Sequence, residues 1–110
     1  MQHWDLLTLA VAPHQPQILH SKRGESRSVA IALPAGERLQ DHQVHERAHV
    51  VVIEGDVRVT VDGAVATGGP GTLLVFDPAE RHEVLAETDA RLLLLLAPWP
   101  GEGHPGARDA

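Results

Sequence analysis

Short apolar runs, each followed within three residues by glycine, proline or aspartate, succeed one another along this chain at intervals of about ten residues. Seven runs rich in valine, isoleucine and leucine occupy residues 28–33, 50–53, 57–61, 64–67, 72–76, 82–86 and 91–97. Strands of this length and spacing predict an all-β fold, an antiparallel sandwich or barrel. No long helical periodicity is present, which argues against a parallel α/β fold. The sequence of residues 4–10 fits a first strand and a short helix equally well.

One hairpin can be located from the sequence. Val57, Val59 and Val61 alternate with polar residues, which is the period of a half-buried strand. Asp62 and Gly63 follow directly, and this dipeptide is typical of a two-residue hairpin turn. We therefore expect the runs at 57–61 and 64–67 to pair.

Composition and charge exclude several classes of function. The chain has 110 residues, no cysteine and a net charge of −6. Its length predicts one domain at residues 1–100 with a polar tail at 101–110. Disulfides, thiolate metal sites and a cysteine nucleophile are excluded. An acidic chain without a basic stripe predicts no nucleic-acid and no membrane partner, and the start lacks a signal-peptide pattern, so we expect a cytoplasmic protein.

The last apolar run contains five consecutive leucines at residues 92–96. A strand with one solvated face would alternate apolar and polar residues, so this run predicts a strand that is covered on both faces. The second face is covered either within the fold or by another subunit. We expect a homodimer.

Histidine is concentrated in one segment. The chain has eight histidines, and His42, His45 and His49 lie within eight residues. Residues 45–49 read His-Glu-Arg-Ala-His, the pattern of zinc proteases whose two histidines stand one helical turn apart. The β-branched run at 50–53 follows at once and disfavours a helix. We therefore place these histidines at strands and not in a protease helix.

Two segments resemble the motifs of the cupin superfamily. Gly36 is followed after five residues by His42, and this segment ends at Gly55, as in the first cupin motif. Gly71 and His82 stand eleven positions apart, as in the second motif. The resemblance covers residues 28–97. It implies a small cupin-type barrel, a double-stranded β-helix that resembles a jelly roll.

Several positions depart from the family pattern. The departures are Val44 for the second histidine, Pro78 one place late, Ala79 for a glycine and Ala86 for the terminal asparagine. The glutamate position of the first motif falls on Ala48 or His49, depending on the direction of the count, and in a strand this decides between inside and outside. The metal site of the family therefore carries over directly only at His42 and His82.

The resemblance implies a divalent transition metal inside the barrel, beside an apolar pocket lined by Val44, Val50, Val52 and Phe76. The predicted ligands are the histidines of the motif regions: His42, His45, His49 and His82. His49 can serve only if a bulge interrupts the strand before Val50. Such a set suits Fe, Ni, Cu, Zn or Mn better than Mg or Ca.

Charged residues beside these histidines are candidates for catalytic roles. Glu46, or alternatively Glu83, would act as a base, a ligand or a group that orients an imidazole. Arg47, or alternatively Arg81, would bind a substrate carboxylate.

Two functions from different classes follow. The first is a metal-dependent dioxygenase or isomerase that acts on a small organic molecule in the barrel. The second is a non-catalytic cupin module that binds a small molecule or senses a metal. The absence of cysteine and tyrosine favours chemistry on a metal, whereas the motif departures favour the binding module. The fold alone does not decide between them, because one architecture hosts many functions.

Overall fold

The structure is a computed structural model that describes residues 1–42 and 46–99, with the backbone alone at 40–42. In these ranges the chain forms nine strands and no helix, so no helix is present there that could cross a membrane. The strands are β1 (Gln17–Lys22), β2 (Ser26–Leu33), β3 (Arg38–His42), β4 (Arg47–Glu54), β5 (Val57–Val61), β6 (Ala64–Gly68), β7 (Leu73–Phe76), β8 (His82–Ala86) and β9 (Ala90–Ala97). All pairings are antiparallel. The predicted all-β fold is confirmed.

The strands form two sheets that share one core. Sheet A has the order β1-β2-β9-β4-β7, and sheet B has the order β3-β8-β5-β6. From β2 onward the chain passes back and forth between the sheets, with β5 and β6 as a hairpin within sheet B. This is the double-stranded β-helix that the motif resemblance implies. The predicted tail at 101–110 lies outside the described residues.

The core between the sheets is built from alternate residues of each strand. β4 buries Ala48, Val50 and Val52 and directs the residues between them to the outer face of sheet A. Each fully buried valine contributes about 1.5–3 kcal/mol relative to an exposed one. Val50 and Val52, which we expected to line an apolar pocket, are packed into this core. Val44 lies outside the described residues.

The apolar runs locate seven of the nine strands. Each run overlaps one observed strand, and no boundary differs by more than three residues. β1 and β3 are missed, because their sequences Gln-Ile-Leu-His-Ser-Lys and Arg-Leu-Gln-Asp-His are polar and lack alternation. Both are edge strands. Polar and charged residues are common on such strands, since they discourage pairing with other chains.

The segment at residues 4–10 forms neither a strand nor a helix, so both alternatives are wrong. The backbone of Leu9 donates to the carbonyl of Asp5 at 3.0 Å, which makes a single turn. The guanidinium of Arg91 in β9 donates to the carbonyls of Leu6, at 3.1 Å, and Leu9. These side-chain bonds satisfy carbonyls that a strand would have paired with a neighbouring strand.

The five leucines divide between the two faces of β9. Leu92 and Leu96 are buried in the core, and Leu94 packs against it. Leu93 and Leu95 lie on the outer face of sheet A and are half-buried. Because β9 runs between β2 and β4, its backbone is paired on both sides. Its outer side chains are nevertheless only partly covered.

The predicted hairpin between β5 and β6 is confirmed. Val61 pairs with Ala64, so two residues form the turn. Asp62 and Gly63 both have positive φ, 48° and 80°. Two consecutive positive φ values define the type I′ turn, whose twist matches that of antiparallel strands.

Gly55, between β4 and β5, is required for close packing as well as for its backbone conformation. Its φ is +85°, and a Cβ placed there would lie 2.2 Å from the carbonyl oxygen of Asp89. The neighbouring Asp56 holds the same loop, because its carbonyl accepts a bond of 2.8 Å from the amide of Glu87. The terminal glycine of the first motif therefore has a steric explanation.

We predict that Gly55→Ala lowers the free energy of unfolding by several kcal/mol, because the methyl group would collide with backbone that cannot move aside. Gly63→Ala is the matched control. Gly63 has a similar φ of +80° but open space around it. Gly63→Ala should lower the free energy of unfolding by only about 1–2 kcal/mol, the cost of an alanine in the left-handed conformation. Urea denaturation of both variants measures the difference, and equal losses would contradict the packing argument.

Candidate functional site

Two polar side chains are buried among those that the structure describes, and both belong to the predicted site. Glu46 is 2% exposed and His82 is 4% exposed. Glu46 directly precedes β4 in sheet A, whereas His82 begins β8 in sheet B. The two residues therefore approach the core from opposite sheets. A buried polar group destabilises the fold unless it is bonded, so such groups are retained where they have a role.

Phe76 connects the two residues to one end of the barrel. Its ring stacks on the imidazole of His82, with centroids 3.9 Å apart and planes at 9°. In the ladder between β4 and β7, Phe76 is the direct partner of Ala48, two residues after Glu46. Ala48 and Glu46 are both buried, so the alternate burial seen in β4 extends to the residue before the strand. Glu46 and His82 thus lie at the same end of the core.

The imidazole of His82 is oriented by a backbone carbonyl. Its Nδ1 lies 3.2 Å from the carbonyl oxygen of Glu80. Because a carbonyl only accepts, this bond places a proton on Nδ1, and in the neutral ring Nε2 carries the lone pair. Histidine ligands of metals are commonly oriented by such a bond from the second nitrogen. A backbone acceptor of this kind has no signature in a sequence.

A tight turn from Asp77 to Glu80 supports that carbonyl. The amide of Glu80 donates to the carbonyl of Asp77 at 3.0 Å, and the amide of Asp77 donates to Oε1 of Glu80 at 3.0 Å. Ala79, at the third position, has a φ of 65°. This is the left-handed conformation for which glycine is favoured. Ala79 therefore keeps the backbone shape that the glycine of the second motif would have.

His42 is aligned with His82 by the pairing of β3 and β8. The two residues are direct partners in this ladder, after a register shift that follows Leu39. His45 lies outside the described residues. Among the side chains that the structure does describe, no three of His, Cys, Asp or Glu form a group that could hold a metal ion.

The structure does not bring His49 to His82. His49 lies between the buried residues Ala48 and Val50, so its side chain is on the outer face of sheet A. Its direct partners are Leu95 in β9 and Val75 in β7. The ladder with β9 is regular from Arg47 to Val52, so the bulge that His49 would need is absent from that stretch. The structure thus decides between the two counts of the first motif: Ala48 lies inside the barrel and His49 lies outside it.

The remaining predicted charges lie outside the barrel. Arg47 is bound to Asp77, with Nη1 and Oδ1 2.7 Å apart, and thereby holds the turn before His82. Glu83 pairs with Arg38 at 3.3 Å on the outer face of sheet B. Arg81 lines a shallow polar cleft there with Glu83. The structure brings none of these side chains to the buried end of the core.

An apolar cleft opens beside the buried site. It has a volume of about 260 Å³ and lies between β6 and β7, the edge strands of the two sheets. Its walls are formed mainly by valine, alanine and leucine: Val59, Val61, Ala64, Ala66 and Leu74. Phe76 and Glu80 close one side. The aromatic ring that stacks on His82 is therefore also a wall of this cleft.

These features define a class: small antiparallel β-barrels with a histidine and a carboxylate buried at one end. The family model for the cupin domain matches residues 29–98, well over half of the chain. The chain therefore belongs to the cupin domain family.

Solved structures of cupins are similar to this chain over most of its length. A RmlC-like cupin from Desulfovibrio desulfuricans has 28% identity and a TM-score of 0.76, over 89% of this chain and 97% of that one. A RmlC-like cupin from Shewanella frigidimarina has 23% identity and a TM-score of 0.73, over 80% and 78%. KdgF from Halomonas has 22% identity and a TM-score of 0.68, over 76% and 77%. The last two likenesses show the fold alone.

We predict that Ala79→Gly stabilises the protein by about 0.5–1 kcal/mol, because it removes the left-handed strain at the turn before His82. Ala66→Gly, at an exposed position within β6, is the control. It should destabilise by a similar amount, since glycine weakens a strand. Thermal denaturation of the two variants measures both effects. A lower melting temperature for Ala79→Gly would contradict the role assigned to its φ.

Proposed function

We propose that this chain is a metal-binding cupin that receives a small, uncharged organic molecule in the cleft beside its site. The proposal is carried by His82, whose ring is buried, stacked on Phe76 and bonded through Nδ1 to the carbonyl of Glu80. This arrangement presents Nε2 as the coordinating atom. The bound group would be a divalent transition metal such as Fe, Ni, Cu, Zn or Mn.

The proposed metal ligands are His82, His42 and His45. Glu46 is the carboxylate that we place beside them. The register supports His42, because its backbone is the direct partner of His82 in the ladder between β3 and β8. The burial of Glu46 supports a role for its carboxylate at the same end of the core. His49 is left out, since it lies on the opposite face of sheet A.

The metal would supply a Lewis acid, and the residues of the chain would supply orientation and proton transfer. The carbonyl of Glu80 holds the proton on Nδ1 of His82 and so fixes the direction of Nε2. Glu46 is the group that we propose as a base, because a buried carboxylate can accept a proton from a bound molecule. A dioxygenase or isomerase reaction is the catalytic form of this proposal.

We infer the chemical class of the organic molecule from the positions of the positively charged side chains. Arg47 is turned outward and engaged by Asp77, so it is not available to bind a carboxylate inside the barrel. The cleft walls of Val59, Val61 and Leu74 instead favour an apolar molecule. The second candidate function is a module that binds such a ligand without turnover.

We predict that the protein purified without an affinity column carries close to one equivalent of transition metal by elemental analysis. Loss of an outer hydrogen-bond partner of a ligand weakens metal binding about 10–100-fold. His82→Gln and His42→Ala should each weaken it by more than this. His49→Ala, on the outer face, is the matched control and should retain the metal. Circular dichroism establishes that each variant is folded.

Metal loss in His49→Ala alone would overturn the ligand set. A wild-type protein that takes up no metal even after reconstitution would sink the metal-binding proposal and leave a binding barrel. A loaded protein that binds a ligand but consumes no dioxygen and forms no product would support the non-catalytic module over the enzyme.

We also predict that naphthalene, a neutral apolar probe, binds in the cleft and is released by Ala66→Phe. Ala66 faces the cleft beside Val59, its direct partner, so a phenyl group there would fill the space. Thr67→Phe places the same group on the outer face of sheet B, beside Arg58, and should leave binding unchanged. Fluorescence titration should show at least a tenfold loss of affinity for Ala66→Phe only. Equal affinity in both variants would place the ligand elsewhere.

A further inference from the structure

The segment at residues 77–81 joins the two sheets at the buried end of the core. It follows Phe76, the last residue of β7 in sheet A, and leads to His82, the first residue of β8 in sheet B. The rings of these two residues stack with their centroids 3.9 Å apart. The conformation of this short connection therefore decides how the imidazole of His82 lies in the core.

Two hydrogen bonds close the connection into a turn. The amide of Glu80 donates to the carbonyl of Asp77, and the amide of Asp77 donates to Oε1 of Glu80, each at 3.0 Å. Pro78 at the second position and the positive φ of Ala79 at the third are typical of a type II turn. Because Oε1 belongs to a side chain, a substitution at Glu80 can remove one of the two bonds that hold the turn.

Arg47 attaches this turn to sheet A. Its Nη1 lies 2.7 Å from Oδ1 of Asp77. The two residues stand at the end of the ladder between β4 and β7, one position beyond the pair of Ala48 and Phe76. Their side chains are 46% and 71% exposed, and an ion pair so open to water adds little to stability. The role of this pair is therefore to be sought in the turn that it holds.

The charges of the turn also need Arg47. Asp77 and Glu80 place two carboxylates in one turn of four residues, and like charges at short range repel each other. The guanidinium of Arg47 offsets part of this repulsion at the side chain of Asp77. The sequence suggested that Arg47 binds a substrate carboxylate, but the structure gives its charge to a carboxylate of the chain itself.

We propose that Arg47 and Glu80 are positioning residues, which act through the turn to keep the imidazole of His82 with its proton on Nδ1, so that Nε2 holds the lone pair that a metal would bind. The last contact of the series is the 3.2 Å bond from Nδ1 of His82 to the carbonyl of Glu80. Without that acceptor the proton can move to Nε2, and a protonated nitrogen does not coordinate a metal. The proposal rests on the proposed function for its metal, but the orientation of the ring can be measured in the metal-free protein.

Nitrogen NMR of the isotope-labelled, metal-free full chain tests the orientation. Couplings between ring protons and ring nitrogens distinguish the two tautomers at about pH 8.5, where histidine is neutral. The signal of His82 is identified by its loss in His82→Gln. We expect the Nδ1–H tautomer in the wild type, and Arg47→Met and Glu80→Ala should each shift part of the population to Nε2–H. Glu80→Gln keeps an acceptor oxygen and should retain the wild-type tautomer.

The affinity for Zn²⁺ is the second measurement. Arg47→Met should weaken it about tenfold, the lower end of the loss for an outer hydrogen-bond partner. Arg47 is the better residue for this comparison, because Glu80 is also a wall of the apolar cleft. The melting temperature of Arg47→Met should stay close to that of the wild type, since an exposed ion pair contributes little to stability. This separates a positioning role from a merely structural one.

Arg58→Met is the matched control. Arg58 pairs with Glu87 at 3.0 Å, and their side chains are 51% and 36% exposed, but Arg58 lies on the outer face of sheet B. Its replacement should change neither the tautomer of His82 nor the affinity for Zn²⁺.

Three results would each overturn the proposal. They are a wild-type tautomer in Arg47→Met, an altered tautomer without any loss of Zn²⁺ affinity, and an equal effect of Arg58→Met. A Glu80→Gln variant that behaves like Glu80→Ala would also contradict it. A wild type that takes up no Zn²⁺ would contradict the proposed function instead, and the tautomers of the metal-free variants would still decide whether these residues position His82.

Discussion

The packing of valine and leucine side chains between the two sheets is the interaction on which the rest of the structure depends. It decides, strand by strand, which residues face the core and which face outward. β4 illustrates this rule, because Ala48, Val50 and Val52 are buried while the residues between them are not. Glu46 stands on the buried side of the same alternation, and His82 enters the same core from the opposite sheet. The apolar packing thus creates the dry surroundings of the histidine and the carboxylate at the candidate site.

The sequence predicts the strands whose apolar residues follow the core and misses those that do not. β5 and β8 agree with their runs at both ends. In β5 the apolar residues at every second position are those that face the core. β1 and β3 are edge strands whose pairing is determined by neighbours distant in sequence. The segment at 4–10 has apolar residues but no ladder, since Arg91 binds its carbonyls. For the site, motif spacing identifies His82, whereas the side on which His49 lies depends on the register of β4 with β9 and β7.

Motif positions are better understood by their backbone geometry than by residue identity. Ala79 departs from the family's glycine, yet it adopts the left-handed φ of 65° that the turn before His82 needs. Gly55 agrees with the family, and its reason is the carbonyl of Asp89 where a Cβ would be. The first difference costs strain but leaves the turn intact, whereas a side chain at the second position would separate two loops. Departures from a motif therefore differ greatly in their effect on the structure. The altered second motif still holds the imidazole of His82 in one orientation.

The stack of Phe76 on His82 has a spectroscopic consequence. Phe76 is the only phenylalanine of the chain, and there is no tyrosine. Its ring protons lie over the face of an imidazole at 3.9 Å, where the ring current of the histidine shifts them away from the positions of a free phenylalanine. Protonation, coordination or displacement of His82 would change that shielding. In this chain a single unlabelled aromatic spin system therefore reports on the barrel's interior, free of overlap with signals from other phenylalanine or tyrosine rings.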